Sequence, residues 1–238
     1  FNYPALPTFS IFDTVTNSWQ PLPPNTIAAG WSPNGPEIAY VDDKALKIFN
    51  LASKKTNEVI KLTQKELGLH WRKDSRLLIS SASGPAAKIL ILDPKNKTLL
   101  PFLEENGLII NWALDDNLGI KLTSANNKPQ TSLIDGSGTT LTRLTFVTLP
   151  SKCLIKETKI YCAVPKNIGE GLKLPEDYYK KAVYFDDALY LIDLSSGSVA
   201  ELKPDSELKI DAEHLELKNK TLLFKNRLDD KLYGLNID

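Results

Sequence analysis

The chain has 238 residues, of which 42% are hydrophobic and 24% are charged, so it is long enough to bury a sizeable core. Lysine plus arginine equals aspartate plus glutamate at 29 each, and the net charge of zero provides no global field that favours nucleic acid or anionic lipid. No apolar run reaches the length of about eighteen residues that a membrane span needs, so we expect no span in this chain.

Each end of the chain is predicted to form an incomplete four-stranded sheet. Residues 1–8 are rich in proline and predict an extended arm, after which 9–13 and 18–22 resemble the last two strands of a four-stranded sheet. Residues from 211 onward supply three strands before the chain stops. We expect all of 1–238 to form one domain in which the ends share a sheet, because this removes an exposed strand edge.

The chain starts at Phe1 and contains no methionine, which indicates a mature or trimmed piece. The possibility of an N-terminal anchor before Phe1 is therefore left open.

Residues 27–62 contain the clearest structural unit. An apolar approach leads to Trp31-Ser32-Pro33-Asn34-Gly35, and three further strands are predicted at 38–41, 46–51 and 58–62. Four short strands joined by tight turns form a small antiparallel sheet that cannot bury its apolar faces alone. Such a unit requires copies beside it.

Copies of this unit follow along the chain. The position of Trp31 is filled in later copies by Trp71, Trp112, Cys153 and Leu215. A period of about forty residues with four strands per copy is typical of a β-propeller blade. We therefore predict an all-β propeller of four-stranded antiparallel blades, with five blades and a spare strand or with six. The recurring tryptophans are expected in the core between blades, and the alternative of a stacking platform for bases or sugars is disfavoured.

The first copy also resembles a known repeat. Trp31-Ser32-Pro33-Asn34-Gly35, followed by Glu37-Ile38-Ala39-Tyr40 and Leu46-Lys47-Ile48-Phe49-Asn50-Leu51, is similar to the TolB-type repeat. The resemblance extends loosely over the whole chain, and 153–165, 175–179 and 210–212 are also similar to uncharacterised exported propeller proteins of small-genome bacteria. It implies a scaffold found in periplasmic interaction proteins and in the non-catalytic half of some serine peptidases.

The two cysteines flank a predicted hairpin. With a two-residue turn at Glu157-Thr158, Cys153 lies opposite Cys162 on adjacent antiparallel strands, where Cα atoms are roughly 4.5 to 5.5 Å apart. This distance suits a disulfide, which would indicate an oxidising, extracytoplasmic compartment. The alternative is a pair of buried thiols.

The fourth copy carries an insertion at 165–185. Its segment from Pro175 to Lys181 predicts a short helix with Glu176 and Asp177 at the positive end. A long loop in a compact repeat is often functional, so the insertion forms either a binding surface or a lid on its own blade. Since no nucleophile pairs with them, the acids and the adjacent Tyr178 and Tyr179 are expected in a solvated loop and are candidate binding residues.

Three acidic pairs each precede a third strand, where propeller loops converge on one face. They are Asp42-Asp43, Asp186-Asp187 and Asp229-Asp230. Calcium prefers such oxygen ligands, but the spacing matches no dedicated calcium loop and aspartate is favoured in turns. We therefore expect candidate binding residues here and neither a metal nor a cofactor.

Catalytic motifs are missing from the sequence. His70 and His214 are the two histidines, and no G-x-S-x-G, H-E-x-x-H, P-loop or G-x-G-x-x-G occurs. We expect a non-enzymatic, exported propeller that binds a protein or an envelope polymer through the face with the insertion and the acidic pairs. The alternatives are the regulatory propeller of a serine peptidase or other hydrolase whose catalytic domain lies elsewhere, and a structural surface-layer or filament subunit.

Overall fold

The computed structural model describes residues 9–62, 67–81, 87–203 and 208–237. These residues divide into two compact units, the first comprising 9–62, 67–81 and 88–103 and the second comprising 87, 104–203 and 208–237. The arm predicted for 1–8 lies outside the described residues. The single domain and the sheet shared by the chain ends stay predictions.

The first unit consists of antiparallel hairpins. Among the described residues, its first two strands pair with each other alone. The next eight form two four-stranded sheets in which each strand neighbours the next in sequence. The strands are β1 (Ser10–Asp13), β2 (Ser18–Pro21), β3 (Ala28–Trp31), β4 (Glu37–Val41), β5 (Ala45–Asn50), β6 (Lys55–Lys61), β7 (Leu67–Trp71), β8 (Leu77–Ser81), β9 (Ala87–Asp93) and β10 (Thr98–Glu105).

The second unit repeats this order in two sheets of four strands and one of three. The strands are β11 (Ile109–Trp112), β12 (Leu118–Ala125), β13 (Lys128–Asp135), β14 (Thr140–Arg143), β15 (Cys153–Lys156), β16 (Lys159–Pro165), β17 (Asp187–Asp193), β18 (Ser198–Leu202), β19 (Ala212–Lys218), β20 (Thr221–Asn226) and β21 (Lys231–Asn236). Helix α1 (Glu176–Tyr179) and a 3-10 turn, Pro150–Lys152, are the helical elements of the described chain. The predicted all-β fold is confirmed, with strand ends displaced by one to three residues.

The aspartates that end β9 and β13, the third strands of their sheets, stabilise the turns that follow. Asp93 accepts hydrogen bonds from the backbone amides of Lys95 and Asn96, and Asp135 accepts from the amide and hydroxyl of Ser137. These bonds hold the pKa of both carboxyls below the usual value. The side chain thus replaces backbone partners in the turn, which explains why the residue recurs.

Apolar side chains from adjacent sheets form the core of each unit. In the first unit Trp71 packs with Ala39, Val41 and Leu77, which links β7 and β8 to β4. In the second, Ile120 and Leu133 share a cluster with both cysteines. Within each unit, adjacent sheets therefore bury apolar side chains against each other.

The tryptophan position is not uniformly buried. Trp71 and Leu215 are buried and Trp112 is half-buried, but Trp31 is 58% exposed, so the core packing predicted for Trp31 is wrong. On that side of β3–β6, the described part of the neighbouring sheet consists of β1 and β2. Ile11 of β1 and Leu22, which follows β2, share a cluster with Ile38, Tyr40 and Phe49 of β4 and β5. Trp71 packs against Ala39 and Val41 of the second strand in the preceding sheet, whereas the described residues before Trp31 include no such strand.

The predicted disulfide is confirmed. Cys153 pairs with Cys162 across β15 and β16, their Cα atoms are 4.2 Å apart, and the two sulfurs are bonded. Both residues are buried. The bridge joins two strands that are already neighbours.

Among the described residues, none of the helical segments has the length and apolar character needed to cross a membrane.

Candidate functional site: the insertion cleft

The insertion folds against the second unit instead of extending into solvent. Its buried side chains Leu174, Tyr178 and Phe185 share a cluster with Leu122 of β12 and Leu149. Tyr178 and Phe185 stack with ring centroids 5.5 Å apart. The predicted short helix is confirmed as α1, whereas the solvated position predicted for Tyr178 is wrong because its ring fills this apolar cluster and is 2% exposed.

A fully buried lysine lies beneath the insertion. Lys152 Nζ donates to Asp187 Oδ2 at 2.6 Å, to Asp211 Oδ1 and to the carbonyl oxygen of Ala212 at 3.0 Å. An ammonium group has three donors, so these partners saturate it. Lys152 Nζ also lies 5.0 Å from the centroid of the Tyr178 ring. These ion pairs connect the 3-10 turn to the starts of β17 and β19.

Asp211 connects this ion pair to the insertion. Its Oδ1 accepts from Lys152 and from the Tyr178 hydroxyl, and its Oδ2 accepts from the Phe185 amide and from Arg227 Nη1. Four donors satisfy the carboxylate although it is fully buried. Burial, followed by the charge of Asp211, raises the pKa of the Tyr178 hydroxyl, which therefore stays protonated as a donor.

Asp187 is less well satisfied. Its Oδ2 accepts from Lys152 and from the Ala212 amide, but its buried Oδ1 has no hydrogen-bond partner in the described chain. Burial raises the pKa of Asp187 to about 6, and Lys152 opposes this shift only in part. Burial and the oxygen without a hydrogen bond therefore both favour the protonated form of Asp187.

A small cleft opens above this charge cluster, between the insertion and the last sheet. Arg227 occupies its floor, with the guanidinium carbon 3.7 Å from the centroid of the Tyr178 ring and 4.9 Å from that of Tyr184. Arg227 Nη2 donates to the carbonyl oxygen of Tyr178 at 3.1 Å. The cleft, of about 140 Å³, is lined by Tyr178, Tyr179, Lys181, Tyr184, Glu213, Lys225, Arg227 and Asp230. We call this set the insertion cleft.

The rim of the insertion cleft is aromatic and charged. Tyr179 is 52% exposed and Tyr184 is 47% exposed. Lys225 Nζ lies 2.7 Å from Asp230 Oδ1 and 3.5 Å from Glu213 Oε1. The hydrogen bond from Lys225 lowers the pKa of Asp230, so both groups stay charged. Paired charges beside two exposed rings can recognise a polar group while a flat group stacks on the tyrosines.

The structure brings three of the predicted binding residues together in this cleft: Tyr178, Tyr179 and Asp230. Glu176 and Asp177 lie in the first turn of α1, where Asp177 accepts from the Lys173 amide. These two acids therefore support the helix.

The acidic pairs behave differently from one another. Asp42 and Asp187 are buried, so the prediction that they present carboxylates on a binding face is wrong: each lies inside an ion pair. Although burial raises the pKa of Asp42, hydrogen bonds from Lys47 and two backbone amides outweigh it and lower that pKa. Asp43 is exposed.

The other two acids form surface contacts. Asp186 forms an exposed ion pair with Lys166 at 3.1 Å. Asp229 accepts from the Tyr233 hydroxyl at 2.6 Å, which lowers the pKa of the Asp229 carboxyl. Within the described residues, no three His, Cys, Asp or Glu side chains are grouped as they would be to hold a metal ion.

A larger groove of about 430 Å³ runs along the first strands of the three sheets in the second unit. Trp112, Cys153 and Leu215 line it together with the exposed Leu114 and His214. The repeated position of the sequence thus lies along this groove in the second unit.

Sequence reasoning missed the residues beneath and within the cleft, namely Lys152, Asp211 and Arg227. Each is a single charged residue outside any periodic pattern. One sequence feature could have identified Asp211 as a buried, functional acid. It lies between the apolar residues Ile210 and Ala212, and an acid is unusual where a buried strand begins.

Comparison with known proteins agrees on the fold. No protein-family model and no curated protein sequence matches the chain. Among solved structures, hydrazine synthase of Kuenenia stuttgartiensis superposes with a TM-score of 0.64 at 14% identity, covering 97% of this chain and 71% of that chain. TolB from Acinetobacter baumannii superposes with a TM-score of 0.55 at 14% identity, covering 97% of this chain and 60% of that chain.

The β-propeller domain of the Trilobed protease from Pyrococcus furiosus superposes with a TM-score of 0.60 at 14% identity, covering 97% of this chain and 72% of that chain. The chain thus has a TolB-like β-propeller fold, and the number of sheets fits five or six blades. At these identities the similarity concerns the fold alone.

Proposed function

We propose that the chain is a non-catalytic, exported propeller that binds another protein or an envelope polymer through the insertion cleft. The observation that carries this proposal is the arrangement of Arg227, whose guanidinium is held between the rings of Tyr178 and Tyr184 at a solvent-accessible cleft. Tyrosine and arginine are the residues that most often dominate binding energy at interfaces.

Two residues of the cleft, Tyr178 and Arg227, are held in place by contacts within the chain. Tyr178 is fixed by its stacking on Phe185 and its hydrogen bond to Asp211, and Arg227 is fixed by bonds to Asp211 and to the Tyr178 carbonyl. Rigid side chains lose little entropy on binding, so their contacts contribute more to affinity. A volume of about 140 Å³ suits one side chain or one sugar-sized group of a larger partner.

The extracytoplasmic location is supported by the buried disulfide, because such bridges persist mainly in oxidising compartments.

Comparative capture tests the proposed surface. The chain would be immobilised and exposed to an envelope extract of its own source under crosslinking conditions, in parallel with a Tyr179→Ser/Tyr184→Ser variant. Trp19→Ser is the matched control, because Trp19 is also an exposed aromatic at 69% but lies on β2 in the other unit. We expect one partner to be recovered by the wild type and the control and lost from the tyrosine variant. Equal recovery by all three would reject the insertion cleft as the binding surface.

Replacing the whole insertion would be a poor test. Leu174, Tyr178 and Phe185 are core residues of the second unit, so their removal would destabilise the fold as well as the surface. Substitutions at the exposed tyrosines avoid this confusion.

A second candidate is the propeller domain of a serine peptidase or other hydrolase. It is favoured by the similarity to the propeller domain of the Trilobed protease. The complete reading frame tests it: a hydrolase domain with a G-x-S-x-G nucleophile elbow would support this candidate. A frame that adds only a leader or an anchor would favour the binding module.

A further inference from the structure

We propose that the insertion cleft binds an anionic group of its partner together with a proton on Asp187, so that each favours binding of the other. This inference rests on the proposed function, because it specifies the chemistry and the pH dependence of the same cleft. Two observations support it. The charges in and beneath the cleft sum to zero, and the buried carboxylates of Asp187 and Asp211 differ in how many hydrogen bonds they accept.

The charges in and directly beneath the cleft are balanced when all groups are ionised. Arg227 and Lys152 both contact Asp211, and Lys225 contacts Asp230 and Glu213. The cations are Lys152, Lys181, Lys225 and Arg227, and the anions are Asp187, Asp211, Glu213 and Asp230. A proton on one carboxylate therefore leaves a single excess positive charge, which one negative group of a partner neutralises.

Asp187 is the carboxylate that can accept this proton without losing a hydrogen bond. Its Oδ1 has no partner, while all four bonds of Asp211 come from donors that a proton would have to displace. The raised pKa of Asp187 agrees with this assignment. The ionised form of Asp187 is stabilised mainly by hydrogen bonds from Lys152 and the Ala212 amide.

Charged groups approach Asp187 from every element around it. Lys152 comes from the 3-10 turn, Asp211 from the start of β19, and the Tyr178 hydroxyl and Arg227 reach it through Asp211. Its own strand begins beside the exposed Asp186–Lys166 pair. Lys209 and Glu201 line a cavity that Asp187 also borders. Of these groups, only Asp187 combines complete burial with an unused oxygen among the described residues.

Arg227 and Lys225 supply the donors for an anion. Arg227 uses one N–H of Nη1 for Asp211 and one of Nη2 for the Tyr178 carbonyl, and its Nε lies 3.7 Å from Glu213 Oε2. The second N–H of Nη1 and that of Nη2 are thus left for a further acceptor. Lys225 is 40% exposed on the rim. A carboxylate or a sulfonate offers the planar or clustered oxygens that such donors prefer.

The first test measures the proton directly. The pH titration of the aspartate carboxyl carbons would be followed by NMR on the intact chain, and Asp187→Asn would assign the Asp187 signal. We expect one carboxyl to titrate near pH 6 in the wild type and to be missing from the variant. If every aspartate carboxyl titrates at or below its ordinary range, the proposal is wrong.

The second test measures the coupling. Methanesulfonate serves as the probe because its single negative charge does not change between pH 5 and pH 7.5, and the side-chain signals of Arg227 and Tyr184 report its binding. We expect the wild type to bind methanesulfonate roughly threefold to tenfold more tightly at pH 5. Asp187→Asn should bind it equally at both pH values, with an affinity close to that of the wild type at pH 5.

His214 is present in both the wild type and the Asp187→Asn variant, so any effect of its imidazole on methanesulfonate binding is the same in the two proteins. An equal pH effect in the wild type and the variant, or no perturbation at Arg227 and Tyr184, would overturn the proposal. Both measurements use the chain without a partner. Their failure is therefore distinguishable from a failed capture experiment, which concerns the proposed function itself.

Discussion

Lys152 Nζ lies 2.6 Å from Asp187 Oδ2, and neither side chain is accessible to solvent. Taking these two charges out of water is costly, and their attraction offsets this only while both are present. The pair joins the 3-10 turn before β15 to the first residue of β17, and through Asp211 it supports the insertion. The surface proposed for binding therefore depends on an ion pair that no partner touches.

Removing the lysine should destabilise the chain strongly. Lys152→Met leaves Asp187 buried without a cation and removes one of the two cations that contact Asp211, and we expect the free energy of unfolding to fall by roughly 3 to 5 kcal/mol. Lys166→Met is the control, since its exposed pair with Asp186 should contribute less than about 1 kcal/mol. Urea denaturation of both variants measures the difference. Similar losses for the two variants would contradict the burial of Lys152.

The stability of the wild type should depend on pH through Asp187. The pKa of this carboxyl is raised from 3.8 to about 6 by burial, so the folded chain holds the proton more tightly than the unfolded chain. Its contribution to stability is therefore complete below about pH 4 and is lost as the pH rises through about 6. Since one pKa unit corresponds to about 1.4 kcal/mol, the total change is about 3 kcal/mol.

Asp187→Asn provides the comparison, because an amide at this position does not titrate. Unfolding free energies at pH 4, 5, 6 and 7 should show the variant gaining stability relative to the wild type as the pH rises. Parallel curves would indicate that Asp187 does not change protonation on folding. A loss of stability by the variant relative to the wild type as the pH rises would mean that folding lowers the pKa of Asp187.

The tryptophans at one repeated position should contribute unequally. Trp71 is buried in the core of the first unit, so Trp71→Ala should cost roughly 3 to 5 kcal/mol. Trp31 is exposed, and Trp31→Ala should change the unfolding free energy by less than about 1 kcal/mol. Thermal denaturation of the two variants compares them. Equal shifts in Tm would show that the repeated position has one role after all.

Local signals explain why much of the fold was predictable. A hairpin is determined by its turn and by residues a few positions apart, so the pairing of Cys153 with Cys162 followed from the predicted turn at Glu157-Thr158. The period of about forty residues then indicated how such sheets recur. The burial of Trp31 failed because it depends on which strands the neighbouring sheet contains, and a single repeat does not carry that information.

The candidate site could not be predicted in the same way. Lys152 and Asp211 are 59 residues apart, and Tyr178 is 49 residues from Arg227. No periodic or local pattern relates such residues. The insertion was recognisable by its length, but its inward direction depends on a cluster that includes Leu122 and Leu149, far from it in sequence.

Loss of the disulfide should reduce stability by a moderate amount. Cys153 and Cys162 close a short loop with a sequence separation of 9, for which the chain-entropy account gives roughly 2 to 3 kcal/mol. Because the two strands are already paired by backbone hydrogen bonds, we expect a value near the lower end. A Cys153→Ala/Cys162→Ala variant would be compared with the wild type by urea denaturation, with and without reductant. Reductant should lower the stability of the wild type only; a variant as stable as the oxidised wild type would show that the bridge adds nothing to the hairpin.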